Sequence, residues 1–478
     1  MNFITKLGDW LERHVMPVAS VIGSQRHLSS LRDGFIATLA VNMAGAMASL
    51  LNAVIFKPDS VFGKMLNKID GYANSVQPIF DKYFTPVMGR VWWATIAIIT
   101  IFLVISISYS LAKSYEVDGL AAALSSTAAF FAVFSETLTR GIEFAADTTK
   151  FLNADGKVVQ VATDALNGAT QVSGDLWGII DVGAFGELGA GAMFTGIIVA
   201  MLATELFVKV TKAGWTIKMP EQVPPAVSRA FSAILPACIS ILVFSIIGII
   251  FTNFVGKPLM ACIEDVIQKP LVSLGQSPIT YIFMLLLAQL LWFFGLHGSN
   301  MTDPAMNTMY KPPLYENMEA ALNNQEIPNT ITRNFLDVYA MHGGSGATLG
   351  LLVAIYLFSK RQEQRELFKL ALAPGLFNIN EPVIFGLPMV LNPIMFIPFV
   401  LTPPICVFIA YVFTEWIPFA GKIMTETPWT TPPIFGAYLA TGGSWQAAVV
   451  AAGTFLLSIL MYAPFVIASN RIDVNQEA

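Results

Sequence analysis

Apolar residues in this chain come in long unbroken runs, and polar residues gather in the links between them. The runs are Gly34 to Phe56, Val91 to Leu111, Gly119 to Ser135, Gly189 to Val210, Ala230 to Gly256, Pro278 to Leu296 and Ala447 to Ala468. A helix needs about 20 apolar residues to cross a bilayer, so most of these runs are full spans. Gly346 to Phe358 is only a half-span. The pattern predicts an all-α integral membrane protein with about ten transmembrane helices plus two re-entrant hairpins.

One stretch breaks this rhythm. From Leu370 to Thr414 the only charged residue is Glu381, yet the stretch holds seven prolines. Each interior proline removes a backbone donor and clashes with the preceding turn, so no single straight helix fits. Broken backbone at membrane depth survives where protein covers it or where it lines a watery cavity. A lone carboxylate at such a break marks a functional site, and Asn378, Asn380 and Asn392 add hydrogen-bonding groups beside it. The bland alternative is a glutamate at a helix mouth near the interface.

The links suggest four regions. Residues 1–33 read as an amphipathic or interfacial segment, with Phe3, Leu7, Trp10, Leu11 and Val15 on one face. Residues 34–256 form a scaffold of five spans. Residues 257–277 alternate apolar and polar groups at helical spacing, as an interfacial connecting helix does. Residues 278–478 form a transport domain. Glu136 to Glu187 is a polar insert with eight acidic and three basic residues and an NADGK turn signal. Lys209 to Arg229 carries four basic residues and one acidic. The positive-inside rule then places the insert outside, and the basic loop and the N-terminus in the cytoplasm.

Composition agrees: 55% of residues are hydrophobic and 12% charged, against about 25% charged in soluble domains. No basic stripe speaks for nucleic acid. The three cysteines form no CxxC pair, and neither zinc spacing nor a nucleotide-binding motif occurs. No cofactor or metal is expected.

Three places in the second half combine polar groups with broken apolar sequence: His297 to Asn300, the turn from Asn378 through Asn380 to Glu381, and Trp429 among its prolines. A sugar needs carboxylate and amide partners for its hydroxyls and an aromatic platform for its ring face. His297 alone would be an ordinary buried histidine, and Trp429 alone an interface anchor. Together they favour a solute pathway. A proton or ion relay would show several intramembrane acids, whereas here Glu381 stands alone and Glu205 lies near a span end.

Phe377 to Phe399 (FNINEPVIFGLPMVLNPIMFIPF) resembles the hallmark region of enzyme IIC, the membrane component of the bacterial phosphoenolpyruvate:sugar phosphotransferase system, in its lactose/cellobiose/diacetylchitobiose branch. Met219 to Pro236, Trp292 to Asn300 and the RDG at Arg32 to Gly34 are similar to that family as well. The resemblance implies a homodimer built on the first five spans and a rigid sugar-carrying second half that moves across the bacterial cell membrane. It assigns Glu381 and His297 to sugar contact, Trp429 as the stacked aromatic and Arg32 near the site; the polar clustering itself adds Asn300, Asn378 and Asn380 as candidate substrate-binding residues. The substrate it implies is a β-linked disaccharide such as cellobiose or diacetylchitobiose. The donor it implies is the phosphocysteine of a cytosolic enzyme IIB. No phosphocysteine domain is seen before Ala478, so a separate IIB protein is expected. The rival readings are an ion-coupled sugar or solute carrier without phosphoryl transfer, and a receptor that binds sugar without moving it.

Overall fold

The computed structural model describes residues 25–58, 60–69, 71–134, 188–220, 222–387 and 389–470, with the backbone of four strands between 137 and 177. The amphipathic pattern at Phe3 to Val15 lies outside the described residues. Among those described, six helices are long and apolar enough to cross a membrane: Leu39–Phe56, Tyr72–Ser114, Ala190–Lys212, Pro225–Val255, Phe396–Trp416 and Trp445–Ser469. Leu259–Gly275 and Pro278–Phe293 make a seventh candidate, bent by 78°. The count stays below ten partly because Gly119–Ala132 has 14 residues and Thr348–Phe358 has 11. At 1.5 Å per residue neither covers the roughly 30 Å hydrocarbon core.

The insert is where the chain leaves helical structure. Thr137–Glu143 pairs antiparallel with Gln171–Trp177, and Lys150–Leu152 with Val158–Gln160. The NADGK signal, residues 153–157, lies outside the described residues.

In the first half, Ile99–Ser114, Gly119–Ala132, Met193–Lys212 and Pro225–Ile250 pack side by side, with Arg26–Ala37 across Ile99–Ser114. Asp118 starts Gly119–Ala132 by accepting the Leu120 and Ala121 amides at 3.0 and 3.1 Å, as an N-cap carboxylate does. Hydroxyls then stitch neighbouring helices, with Ser126 to Thr204 at 3.0 Å and Ser240 to the Ala203 carbonyl at 3.2 Å. In an apolar surround such groups must find partners in other helices. Glu205 is satisfied in the same way, by His27 at 2.9 Å and by the Tyr115 hydroxyl. Pro225–Val255 is the exception, with only 22% of its apolar window buried. Leu242, Ile246 and Ile249 project from it, a face for lipid or for another apolar surface.

In the second half, Thr348–Phe358 packs against Trp445–Ser469, and Pro278–Phe293 against Phe396–Tyr411. The proline-rich stretch is three helical pieces: the end of Gln362–Leu376, then Glu381–Gly386, then Phe396–Tyr411. Thr302 to Arg333 is polar in sequence and carries Pro312, Pro313 and Pro328, yet its first part belongs to a helix, Gly298–Leu322, with fourteen buried residues. Several of its buried polar groups meet a partner outside the helix. Lys311 pairs with Glu426 at 3.2 Å, and the Asn317 amide donates to the Asn329 and Ile423 carbonyls, both at 2.7 Å. Paired burial removes the desolvation cost that counts against burying a polar helix. Contacts also join the two halves, including Thr425 to the Ala46 carbonyl at 3.3 Å and Lys57 to the Leu322 carbonyl at 3.1 Å.

Candidate functional site

Helix Gln362–Leu376 stops at a turn in which Asn378 adopts φ +62°. Asparagine tolerates this left-handed conformation better than most residues. Pro382, without an amide hydrogen, sits in the first turn of Glu381–Gly386. That position needs no intrahelical donor, so the break is locally inexpensive. Glu381 opens this short helix and is exposed. Among the described residues its carboxylate has no hydrogen-bond or ion-pair partner, so its acceptor sites are open to a ligand.

His297 caps the helix Gly298–Leu322, its Nδ1 accepting the Asn300 amide at 3.2 Å. A backbone N–H can only donate, so in the neutral ring the proton sits on Nε2. The exposed imidazole therefore offers a donor outward. Its ring lies 4.2 Å from Trp292, whose Nε1–H donates to Ser299 Oγ at 3.2 Å. Gly298 allows this turn, because a Cβ there would overlap the Ala288 carbonyl oxygen. The carboxylates of Glu381 and Asp303 both act electrostatically on His297. The Asn300 side chain is exposed and, among the described residues, makes no hydrogen bond.

Trp429 is 52% exposed, a large aromatic face left open. It lines a narrow cleft with Asp337, Thr427 and Pro432 among others. Asp337 is held by Arg333 at 3.4 Å, and the same guanidinium reaches Asp303 at 3.1 Å and Asn307 at 3.0 Å. One cation thus joins the acid near His297 to the acid beside Trp429. The sequence reading missed this brace. Its one local signal is the i, i+4 spacing of Arg333 and Asp337 on a helical turn.

A glycine-rich loop, Gly343 to Ala347, ties the three places together. Gly343, Gly344 and Gly346 have φ of +84°, +92° and +80°. Its Gly343 amide donates to Asn378 Oδ1 at 2.8 Å, and its Ser345 carbonyl accepts from Asn380 Nδ2 at 3.0 Å. Ser345 Oγ meets Ser299 Oγ at 3.2 Å. Asn378 Nδ2 donates onward to the Trp429 carbonyl at 2.6 Å and the Thr431 carbonyl at 3.0 Å. These bonds join the segments that carry His297, Asn300, Glu381 and Trp429, and all four residues are exposed. Asn378 and Asn380 lie among them but are each only 5% exposed. Arg32 pairs with its neighbour Asp33 at 2.8 Å, and among the described residues none of its hydrogen bonds reaches the other six.

An unpaired carboxylate, an outward N–H and an open indole face can bind a sugar's hydroxyls and ring. Among the described residues no group of His, Cys, Asp and Glu side chains is placed to hold a metal.

Residues 32–403 match the family described as Phosphotransferase system, EIIC. The chain is 35% identical, over the full length of both proteins, to the PTS system cellobiose-specific EIIC component of Lactococcus lactis subsp. lactis (strain IL1403). It is 32% identical to the PTS system oligo-beta-mannoside-specific EIIC component of Bacillus subtilis (strain 168), over 98% of this chain and 95% of that one. Among solved structures it is similar to the transporter ChbC, the IIC component from the N,N'-diacetylchitobiose-specific phosphotransferase system. That likeness has a TM-score of 0.83 and 30% identity, and it covers 98% of this chain and 99% of the other.

Proposed function

This chain belongs to the phosphotransferase-system EIIC family, and on that premise we propose that it imports a β-linked disaccharide, cellobiose or a close relative, and presents it for phosphorylation. The observation that carries this reading is the joining of the segments bearing His297, Glu381 and Trp429 through one glycine loop. Glu381 accepts from sugar hydroxyls, His297 donates through Nε2, Asn300 adds an amide, and Trp429 stacks on a ring face. Arg32 takes part only if its pairing with Asp33 opens. The chain itself supplies binding and orientation. The phosphoryl group comes from the phosphocysteine of a IIB partner, and rate is gained by holding the sugar's 6-hydroxyl in line with it.

The finer architecture is proposed with it. The chain has about ten crossings and two re-entrant hairpins, with the short helices and the turn at Asn378 to Met395 in the broken segments. Residues 34–256 are the scaffold and dimer-forming half, 257–277 the connecting helix and 278–478 the moving transport half. The exposed face of Pro225–Val255 supports a homodimer contact. The acidic insert is outside and the N-terminus is in the cytoplasm. The test is uptake of labelled disaccharides into vesicles with and without phosphorylated IIB added in trans. Accumulation of phosphorylated cellobiose that depends on IIB is expected. Uptake of unmodified sugar driven by an ion gradient would overturn the reading in favour of an ion-coupled carrier.

A further inference from the structure

The amide of Asn378 spends both of its donors on the protein. A side-chain amide has two N–H donors, and here they go to the carbonyls of Trp429 and Thr431 at 2.6 and 3.0 Å. Its oxygen takes the Gly343 amide at 2.8 Å. The residue is 5% exposed. A sugar hydroxyl would find no free donor on it. The neighbouring backbone is packed to match: a Cβ on Gly344 would stand 2.7 Å from the Asn378 carbonyl oxygen and 2.9 Å from the Asn380 Cβ.

The three groups that Asn378 holds come from two distant segments, and what they carry is the site. Residues 429 to 431 follow Pro428 and precede Pro432 and Pro433, a segment without helical hydrogen bonds to fix the Trp429 indole. The Thr431 amide closes one local turn on Pro428 at 2.9 Å. Among the described residues, the only other hydrogen bonds to these backbone groups are the two from Asn378. On the other side, Asn378 lies three residues before Glu381. One buried amide thus sets the distance between the carboxylate and the aromatic platform.

Resting on the permease reading above, we propose that Asn378 is a positioning residue that clamps the Trp429 segment and the Glu381 turn to the Gly343 loop, and that it does not touch the sugar. Its effect on binding passes through Trp429. The informative variant is Asn378→Gly, because glycine accepts φ +62° without strain and only the amide is lost. Asn378→Asp is the companion. It keeps the acceptor for Gly343 but turns a second acceptor toward two carbonyls.

Binding of radiolabelled cellobiose to the purified full-length protein gives the first test. Asn378→Gly should raise Kd about tenfold in the otherwise unaltered chain. In a Trp429→Ala background the same change should alter Kd less than twofold, since the residue it seats is gone. Equal losses in both backgrounds would overturn the proposal that the effect passes through Trp429.

The second test needs no sugar. Thr431→Cys keeps the carbonyl that Asn378 holds and can be labelled with a maleimide in a chain whose Cys238 and Cys262 are serine. Asn378→Gly and Asn378→Asp should each speed that labelling several-fold. Unchanged labelling in both would refute the clamp. If the unaltered protein binds no disaccharide while labelling still responds to Asn378, the substrate reading fails and the clamp stands.

Discussion

Replacing His297 separates two jobs that one imidazole performs. Nδ1 caps the helix Gly298–Leu322 by accepting the Asn300 amide at 3.2 Å, and Nε2–H faces outward from an exposed ring. His297→Ala removes both. Loss of an N-cap costs about 1 kcal/mol of stability. Loss of a donor that leaves a sugar hydroxyl unpaired costs about 1–3 kcal/mol of binding. His297→Asn restores the cap, because asparagine is among the best N-cap residues. It does not place a donor where Nε2 stood. Both variants should therefore bind disaccharide about 5- to 150-fold more weakly. Only the alanine variant should melt earlier in detergent without sugar. Equilibrium binding of labelled cellobiose, normalised to folded protein, together with thermal unfolding reads both quantities. An asparagine variant with unaltered affinity would show that the imidazole only caps the helix, and His297 would leave the site.

Other outcomes follow from the same geometry. Glu381→Gln keeps the shape of an exposed, unpartnered carboxylate and removes its charge. Charge-assisted bonds of about 1.5–3 kcal/mol should weaken, lowering affinity about tenfold to a hundredfold, and IIB-dependent phosphorylation at saturating sugar should fall further; a glutamine variant normal in both assays would place the site elsewhere. Arg333→Met leaves Asp303 and Asp337 without their shared cation and should cost about 3–5 kcal/mol of stability, with Arg333→Lys recovering part of it. Unfolding in detergent checks this, and a methionine variant as stable as the parent rejects the brace. Gly346→Ala forces a side chain onto φ +80° and into the Phe399 ring. It should lower stability by about 2–4 kcal/mol, read by the same unfolding measurement.

What the sequence determined by itself is the part governed by solvent. Long apolar runs must be helical in a bilayer, so membrane residence and most helices could be read directly. The proline-broken stretch around Glu381 was legible because proline and a lone charge act locally, whatever surrounds them. His297 and Trp429 stood out as polar and aromatic groups in apolar context. The tertiary structure decided everything that depends on a distant partner. The polar residues Asp303, Lys311 and Asn317 argue against a buried helix until Arg333 and Asn329 fold back on it and Glu426 and Ile423 arrive from further along the chain. Asn378 and Asn380 look like ligands in the sequence because their amides are free there. In the fold the carbonyls of Trp429 and Thr431 take both donors of Asn378, and the Ser345 carbonyl takes one from Asn380. A hydrogen bond has two ends, and the sequence displays only one of them at a time.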